Sequence, residues 1–233
     1  GQAVLPESHE VIIVNAGNPE DATSSHIALE ARCNIVSEPN ASFAKAINAG
    51  VKAAKGEVFL LANNDLELAG VRLDLLVHTL LSRRGRALPD IIGARLLYPD
   101  GTIQHAGVGL DIAGNPYHLW HHAPAEMREA NVCTCPLAVT FALVAISRWT
   151  WQLVGYLDEG YTNAYEDLDF CLQAREVGHA VHYNPYCVAV HHTAQTAGRH
   201  DHVRESWQHF HEKWLATGRL FTATGVWPFE VTR

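Results

Sequence analysis

Short apolar runs alternate with amphipathic helical patterns along the first hundred residues, and this alternation limits the fold more than any other feature of the sequence. Runs typical of buried strands occur at 10–17, 34–38, 57–62 and 90–98. Helical spacing of apolar residues occurs at 40–56, with Asn40 or Ser42 as the cap, and at 71–82. Strands that alternate with helices predict an α/β fold, in which helices cover both faces of a mixed, mostly parallel sheet.

The second half of the chain is less regular. Residues 111–135 are rich in His, Pro and Gly, as is typical of a long loop that covers a site. The patterns then predict a strand, a helix, two strands and an amphipathic helix capped by Asp201, at 137–147, 165–178, 179–185, 187–192 and 201–218. We therefore expect a single domain over 1–233, with its core at about 10–198 and a C-terminal helix and tail at 199–233.

Composition argues against several classes of protein. Hydrophobic residues make up 48% of the chain, which is ample for a core. The net charge of −8 and the lack of a long basic run argue against a nucleic-acid partner. The longest apolar run, at 137–147, is shorter than the roughly 20 residues of a membrane-spanning helix. Five scattered cysteines and no signal-peptide pattern indicate a cytoplasmic protein, and peripheral contact with the inner face of the membrane is left open.

The triplet Asn63-Asn64-Asp65 directly follows the apolar run at 57–62. In open α/β sheets, ligands bind beyond the carboxyl ends of the strands. A carboxylate with amide neighbours can hold Mg²⁺ or Mn²⁺, which keeps waters and takes its other ligands from phosphate. An ordinary Asn-Asn-Asp turn explains the same residues. The triplet alone therefore predicts either a cation site or a turn.

Two further polar pairs lie at the ends of predicted elements. Glu166 and Asp167 begin a helix, where carboxylates serve as a cap or, beside an acceptor hydroxyl, as a general base. His191 and His192 end a strand, where either imidazole could complete a metal site or simply end the strand.

Histidine is frequent, with fifteen in the chain, and a group of them lies at 118–122. His118 with His121 or His122 has helix-like spacing for zinc, although neither a His-Glu-x-x-His pattern nor a cysteine pair supports that site. The same region could instead bind an acceptor sugar, because indole and imidazole rings such as those of Trp120 and His105 stack on sugar rings. A packed surface loop is the plain alternative.

Together these segments resemble the family-2 glycosyltransferases of the Rossmann-related GT-A fold, most closely the bacterial polysaccharide-building and rhamnosyltransferase-like members. The resemblance runs in the family's order over about 10–198. It is carried by EVIIVNAGNPEDAT, NIVSEPNASFAKAINAGVKAAKGEVFLLANNDLEL, GARLLYPDGTIQHAGVGL, PLAVTFALVAISR and VGYLDEGYTNAYEDLDFCLQAREVGHAVHYNPYCVAVHH. It implies transfer of a sugar from a nucleotide-diphosphate sugar to a hydroxyl acceptor, with inversion at the anomeric carbon, in glycan or polysaccharide synthesis.

The resemblance also implies residue roles. Asp65 would bind the Mn²⁺ or Mg²⁺ that bridges the donor diphosphate, and His191, or else His192, would be a further metal ligand. Asp167 would be the catalytic base, with Glu166 beside it.

The donor side departs from the family pattern. Donor contacts are expected at Asn15, Asn40, Asn63 and Asn64, but Asn15 and Asn63 stand where the family has acids. Phe141 stands where Gly is usual, so its ring is expected to narrow the donor or acceptor pocket.

Only GQAVLPESH precedes the segment that resembles the family's second strand, so the first βα unit is expected to be missing. Trimming, degeneration or a strand supplied by a partner would each explain this. A catalytically silent GT-A-like domain that binds glycan or a partner enzyme is therefore the second hypothesis. Homo-oligomerisation or a partner domain is left open.

Overall fold

The computed structural model describes residues 2–6, 8–17, 33–82, 89–162, 164–192 and 203–224. The strands in these residues are β1 (Ile12–Asn15), β2 (Asn34–Ser37), β3 (Val58–Ala62), β4 (Leu66–Glu67), β5 (Pro89–Leu97), β6 (Ile103–His105), β7 (Val108–Leu110), β8 (Pro116–His118), β9 (Leu143–Ser147) and β10 (Ala180–His191). The helices are α1 (Phe43–Ala53), α2 (Asp74–Ser82), α3 (Arg148–Val154), α4 (Glu166–Glu176), α5 (Val203–Phe210) and α6 (Arg219–Thr224), with a 3₁₀ turn at Arg128–Asn131 and a π-helical turn at His211–Leu215. None of these helices is both long and apolar enough to span a bilayer.

A mixed sheet forms the centre of the molecule, with the strand order β3-β9-β5-β10-β4 and with β6 paired to β5. Strands β5 and β10 are parallel, whereas β9 is antiparallel to both β3 and β5. Strands β3, β5 and β10 therefore run in one direction, and β9 and β4 run against them. The parallel pair β1 and β2 forms a separate two-stranded sheet. The predicted mixed α/β fold is confirmed.

Neighbouring residues of the central strands point into two different cores. Ile91 belongs to the core that contains Trp151 of α3 and Phe170 of α4. Ile92 belongs to the opposite core, where α2 buries Leu76. Helices thus cover both faces of the sheet, as the apolar patterns predicted.

The predicted strand at 137–147 is only half correct, because strand structure begins at Leu143. Residues 138–142 are mostly buried but irregular. The backbone N–H groups of Thr140 and Phe141 donate to side chains instead of to a neighbouring strand. We name residues 138–142 the site loop, because it reaches the polar residues described below.

The two strands predicted at 179–185 and 187–192 form one strand, β10. Its register against β5 shifts between Asn184 and Val188. Pro185 has no N–H to donate, and the Asn184 side chain accepts from the Tyr186 N–H at 2.9 Å. The irregularity is therefore a bulge rather than an end of the strand.

The C-terminal helix packs on the domain through Phe210 and Trp214, whose side chains are fully buried. Gly218 ends this region in a left-handed conformation with φ = 71°, as its position predicted. The predicted cap, Asp201, lies outside the described residues. The expected domain boundaries and the missing first βα unit remain predictions.

Candidate active site

Asp65 and His191 meet at the edge of the central sheet. Asp65 lies just beyond β3, and the short strand β4 that follows it pairs with the end of β10, where His191 faces Leu66. Nε2 of His191 lies 2.8 Å from Oδ1 of Asp65. The imidazole is buried, whereas the Asp65 side chain keeps 14% of its surface exposed. The His191 ring is therefore held inside the protein, whereas part of the Asp65 carboxylate reaches solvent.

His192 points away from Asp65, because neighbouring side chains of a strand face opposite sides. Its Nε2 lies 2.6 Å from Oε1 of Glu67 at the surface. Its backbone N–H still donates to the carbonyl oxygen of Asp65 at 2.9 Å, which holds the turn beside His191. Of the two predicted alternatives, the structure brings the His191 ring to Asp65.

Gln104 of β6 holds the other side of the His191 ring. Its Oε1 lies 2.6 Å from Nδ1 of His191, and its Nε2 donates to the His191 carbonyl oxygen at 3.0 Å. Local sequence patterns gave no sign of this residue. The one feature that could have drawn attention to it is that the polar amide of Gln104 is buried on β6, a strand whose other residues are also buried.

The Asp65 and His191 donor atoms suit an octahedral cation. Ligands about 2.1 Å from such an ion lie roughly 3 Å apart in neighbouring positions, close to the separation observed here. Carboxylate oxygen and imidazole nitrogen are both accepted by Mn²⁺-type ions. Among the described residues, no group of three or more His, Cys, Asp or Glu side chains is arranged around one ion position.

The four asparagines that were predicted to contact the donor sugar nucleotide lie in two places, two of them after β3 and two of them at the ends of β1 and β2. Asn63 donates its backbone N–H to the Ala142 carbonyl oxygen at 2.9 Å, which places it beside the site loop, and Asn64 is exposed. Asn15 ends β1, where its Oδ1 accepts from the Gly17 N–H at 3.1 Å. Asn40 lies in the exposed turn after β2 with φ = 55°, and α1 is capped by Ser42 instead.

Asp167 occupies the first turn of α4. Its Oδ2 accepts from the Phe141 N–H at 3.3 Å, and its Oδ1 accepts from the Leu168 N–H at 2.8 Å. The neighbouring Glu166 side chain is buried, whereas that of Asp167 is half-buried. Asp167 is therefore the more accessible acid of the predicted pair.

Backbone strain precedes this helix. Ala164 and Tyr165 are consecutive residues in the left-handed region, with φ of 74° and 75°. Such conformations cost residues other than glycine about 1 kcal/mol or more each, and they concentrate at functional sites.

His105 lies beneath the site loop and is fully buried. Its Nε2 accepts from the Thr140 N–H at 3.2 Å, so Nδ1 carries the hydrogen and donates to Nδ1 of His118 at 2.8 Å. Burial, and then the nearby His118 and His191 rings, hold the pKa of His105 well below its ordinary value of 6.5. Because His105 is fully buried, it does not face an acceptor sugar as predicted. Instead, it holds the site loop through Thr140 and contacts His118.

The site loop joins these groups. Its Thr140 N–H binds His105, its Phe141 N–H binds Asp167, and its Ala142 carbonyl oxygen binds the Asn63 N–H. Three consecutive residues thus connect the predicted base with the strand end that carries Asp65. The structure therefore brings the three motifs singled out in the sequence to one edge of the sheet.

The interpretation of Phe141 as a residue that narrows a pocket is wrong. Its side chain is 1% exposed and packs edge-on against Phe170, with ring centroids 5.6 Å apart. The loop also approaches β5 closely, because a Cβ added at Gly93 would lie 2.5 Å from Cβ of Val139. Only the backbone of Phe141 reaches the polar site.

An aromatic surface lies above His105, and we name it the histidine shelf. Its contacting rings are Tyr98, His118, His121 and His122, and we include the exposed Trp120, which precedes His121 in the chain. The rings of Tyr98 and His122 stack at 4.9 Å, and Trp120 is 40% exposed. Trp120 and His122 are left-handed, with φ of 59° and 60°, a strained backbone for such large side chains. The segment predicted as an irregular loop also contains β8 and the 3₁₀ turn.

The zinc alternative gains no support from this arrangement. The Nδ1 atom of His118 is engaged by His105 at 2.8 Å, and Nε2 of His121 lies 2.7 Å from the Tyr98 hydroxyl. Partial burial, and then His122, lower the pKa of His121. This shift favours the neutral form of the His121 ring.

Sequence comparison connects this edge of the sheet to a known family. Residues 2–93 match the family model described as glycosyl transferase family 2. The uncharacterized protein y4gI of Sinorhizobium fredii (strain NBRC 101917 / NGR234) is 34% identical over 160 residues, which are 66% of this chain and 17% of that protein. The O-antigen biosynthesis protein RfbC of Myxococcus xanthus is 29% identical over 150 residues, which are 62% of this chain and 12% of that protein. The chain thus spans less than a fifth of the length of either relative.

Solved structures of low sequence identity share the fold. The crystal structure of GalNAc-T7 with UDP, GalNAc and Mn²⁺ is similar with a TM-score of 0.65 and 15% identity, over 89% of this chain and 43% of that one. The mannosyltransferase PcManGT from Pyrobaculum calidifontis, in complex with GDP-Man and Mn²⁺, is similar with a TM-score of 0.57 and 16% identity, over 90% of this chain and 55% of that one. Residues 2–93, which include Asp65, thus match glycosyl transferase family 2, and the described residues share the GT-A fold of these solved structures, in agreement with the resemblance that the motifs predicted.

Proposed function

We propose that this domain is a metal-dependent inverting glycosyltransferase, which moves a sugar from a nucleotide-diphosphate sugar to an acceptor hydroxyl. The observation that carries the proposal is the site loop, which links Asp167 to the strand end bearing Asp65, itself paired with His191. The UDP, GDP-Man and Mn²⁺ of the two similar structures support a nucleotide-sugar donor and a divalent cation. The name of the Myxococcus xanthus relative supports a role in polysaccharide synthesis.

Asp65 and His191 would hold the Mn²⁺ or Mg²⁺. Bound there, the cation would supply positive charge that neutralises the diphosphate as it leaves the sugar. Two protein ligands leave positions for phosphate oxygens and waters, as is usual for such ions in phosphate sites.

Asp167 would remove the proton of the acceptor hydroxyl. The N–H groups of Phe141 and Leu168 fix the orientation of its carboxylate, and the positive end of α4 stabilises its negative charge. A single base that activates the hydroxyl for direct displacement inverts the anomeric carbon. The buried Glu166 would support the helix start rather than touch the acceptor.

The asparagines would contact the donor. Asn63 and Asn64 lie next to Asp65, so their amides could hydrogen-bond the sugar or the diphosphate. Asn15 and Asn40, at the β1–β2 edge, would contact the nucleoside. Amides carry no charge, and these contacts would therefore be weaker than those of the acids usual in the family.

The acceptor would bind on the histidine shelf. Trp120 and the neighbouring imidazoles offer aromatic faces, which stack on sugar rings. His118 links the shelf to His105 and so to the site loop. An acceptor sugar on the shelf would thus lie on the same side of the sheet as Asp167.

A donor-turnover assay tests the proposal, with a panel of UDP- and GDP-sugars, MnCl₂ and glycan acceptors. Asp167→Asn should lower turnover by about 10²- to 10⁴-fold, because the amide cannot take a proton but can still accept the Phe141 N–H. Glu129→Gln, which changes an exposed acid on the 3₁₀ turn, is the matched control and should leave turnover unchanged.

The catalytically silent domain remains the competing function, because amides replace two acids on the donor side. If the unsubstituted chain binds nucleotide or glycan but turns over no donor, the silent domain is the better description. Equal turnover by the unsubstituted chain and Asp167→Asn would remove Asp167 as the base.

A further inference from the structure

Gln104 contacts one ring nitrogen of His191, and Asp65 contacts the other. Gln104 and His191 are joined twice, once through the imidazole ring and once through the backbone carbonyl of His191. Gln104 is 5% exposed and His191 is 3% exposed, so little water competes for these contacts.

The orientation of the Gln104 amide follows from the backbone contact. A carbonyl oxygen can only accept, so the group that lies 3.0 Å from the His191 carbonyl oxygen must be the NH₂ of the amide. The amide oxygen must then be the atom 2.6 Å from Nδ1 of His191. Since that oxygen can only accept, Nδ1 must carry a hydrogen.

This hydrogen decides which atom of His191 can bind a cation. With Nδ1 protonated and facing Gln104, Nε2 is the ring nitrogen that lies 2.8 Å from Oδ1 of Asp65. A carboxylate oxygen can only accept, so without a cation Nε2 donates a hydrogen to it, and a bound cation would replace that hydrogen and take the Nε2 lone pair. Rotation of the ring by half a turn would place a carbon next to Asp65 and would break the Gln104 contact. The amide therefore favours one tautomer and one ring orientation together.

We infer that Gln104 is a positioning residue, which fixes the Nδ1–H tautomer of His191 so that Nε2 and Asp65 can take adjacent positions on one divalent cation. The inference rests on the proposed cation site at Asp65. Partners of this kind usually change metal affinity by 10- to 100-fold when they are lost. An imidazole ligand also favours Mn²⁺ over Mg²⁺, because Mg²⁺ prefers oxygen.

Two substitutions separate the tautomer from packing. Gln104→Met removes both hydrogen bonds, whereas Gln104→Glu removes the donor to the carbonyl and keeps an acceptor for Nδ1–H. Both variants lose the backbone contact, so a difference between them reports the contact with the ring alone.

Mn²⁺ binding to the whole chain is measured by electron paramagnetic resonance of the free ion, and Mg²⁺ binding by its competition with Mn²⁺. Gln104→Met should weaken Mn²⁺ binding by about 10-fold or more and reduce the preference for Mn²⁺ over Mg²⁺. Gln104→Glu should keep that preference. The added charge of Glu does not confound this ratio, because charge strengthens binding of both ions.

The metal-free chain gives a second readout. A ¹⁵N–¹H imidazole correlation spectrum, assigned with His191→Gln, should show the proton on Nδ1 in the unsubstituted chain and in Gln104→Glu, and its loss in Gln104→Met.

If Asp65→Asn and the unsubstituted chain bind Mn²⁺ equally poorly, the cation site fails and the role of Gln104 in it falls too. Two other outcomes would overturn the role of Gln104 but leave the cation site in place. In the first, Gln104→Met binds Mn²⁺ as well as the unsubstituted chain does. In the second, Gln104→Met and Gln104→Glu give the same results.

Discussion

The side chains of His105 and Asp167 accept hydrogen bonds from two adjacent backbone N–H groups, those of Thr140 and Phe141, at 3.2 and 3.3 Å. A fully buried imidazole and the proposed base therefore hold two successive peptide units of the site loop. Displacement of one of these units should shift the other.

His105→Leu should lower turnover by roughly 10- to 100-fold, because a base displaced by about 1 Å loses its alignment with the acceptor hydroxyl. His105→Gln should lose less, since its amide oxygen can still accept the Thr140 N–H. Turnover numbers of both variants, each alone and combined with Asp167→Asn, provide the measurement. Because His105 acts through Asp167, the losses should be less than additive, and additive losses would contradict this coupling.

The free energy of unfolding should fall in mild acid because of His105. Burial, and then His118 and His191, depress the pKa of His105 in the folded chain, whereas an unfolded histidine binds a proton near pH 6.5. The contribution of His105 is thus complete above about pH 6.5 and is lost as the pH falls toward the folded pKa. Between pH 7.5 and 5.5, the unsubstituted chain should lose up to about 1.4 kcal/mol more than His105→Gln.

Urea unfolding at several pH values measures this difference. His78→Gln, which changes an exposed histidine of α2, is the matched control and should behave like the unsubstituted chain. Parallel pH curves for the unsubstituted chain and His105→Gln would show that His105 is not kept neutral by the fold.

Local periodicity predicted the central elements well but not the site loop. Strand β5 and helix α2 were recognisable because their apolar residues repeat with the period of the structure that buries them. Residues 138–142 are also apolar and buried, but their N–H groups serve His105 and Asp167 instead of a strand. An apolar run indicates burial and does not reveal the partners of its backbone.

The site could be predicted only in part for a related reason. Asp65 and His191 are 126 positions apart, and no local pattern relates them. The order of the family motifs pointed to both residues, and the antiparallel pairing of β4 with β10 explains why they meet. Gln104 escaped prediction because its role depends on the facing strand end and not on its own neighbours in the chain.

A fully buried carboxylate, that of Asp169, anchors the C-terminal region to α4. It accepts hydrogen bonds from the Tyr161 hydroxyl at 3.2 Å, Nε2 of Gln173 at 2.7 Å, Nζ of Lys213 at 2.9 Å and Nε1 of Trp214 at 2.6 Å. Lys213 and Trp214 belong to the π-helical turn. This turn is therefore held by a buried charge as well as by apolar packing.

Asp169→Asn should lower the free energy of unfolding by about 3 kcal/mol, because it leaves a largely buried ammonium group facing a neutral amide. Asp158 is a suitable comparison because it also binds Lys213, with its Oδ2 lying 2.7 Å from Nζ. The side chain of Asp158, however, is 28% exposed. Burial tends to raise the pKa of Asp158, yet the hydrogen bonds from Lys213 and His209 outweigh burial and hold that pKa below its usual range. Asp158→Asn should therefore destabilise the chain, but by only about 1 kcal/mol, because water screens an exposed pair.

Urea unfolding followed by tryptophan fluorescence at pH 7 compares the two variants, since Trp214 contacts Asp169 directly. A larger loss in Asp169→Asn than in Asp158→Asn is expected, because only the former removes charge from a site that water does not reach. Equal losses would mean that Lys213, which both acids share, carries the whole effect through its surface pair. In that case the charge of Asp169 would add nothing beyond the hydrogen bonds that its oxygens accept.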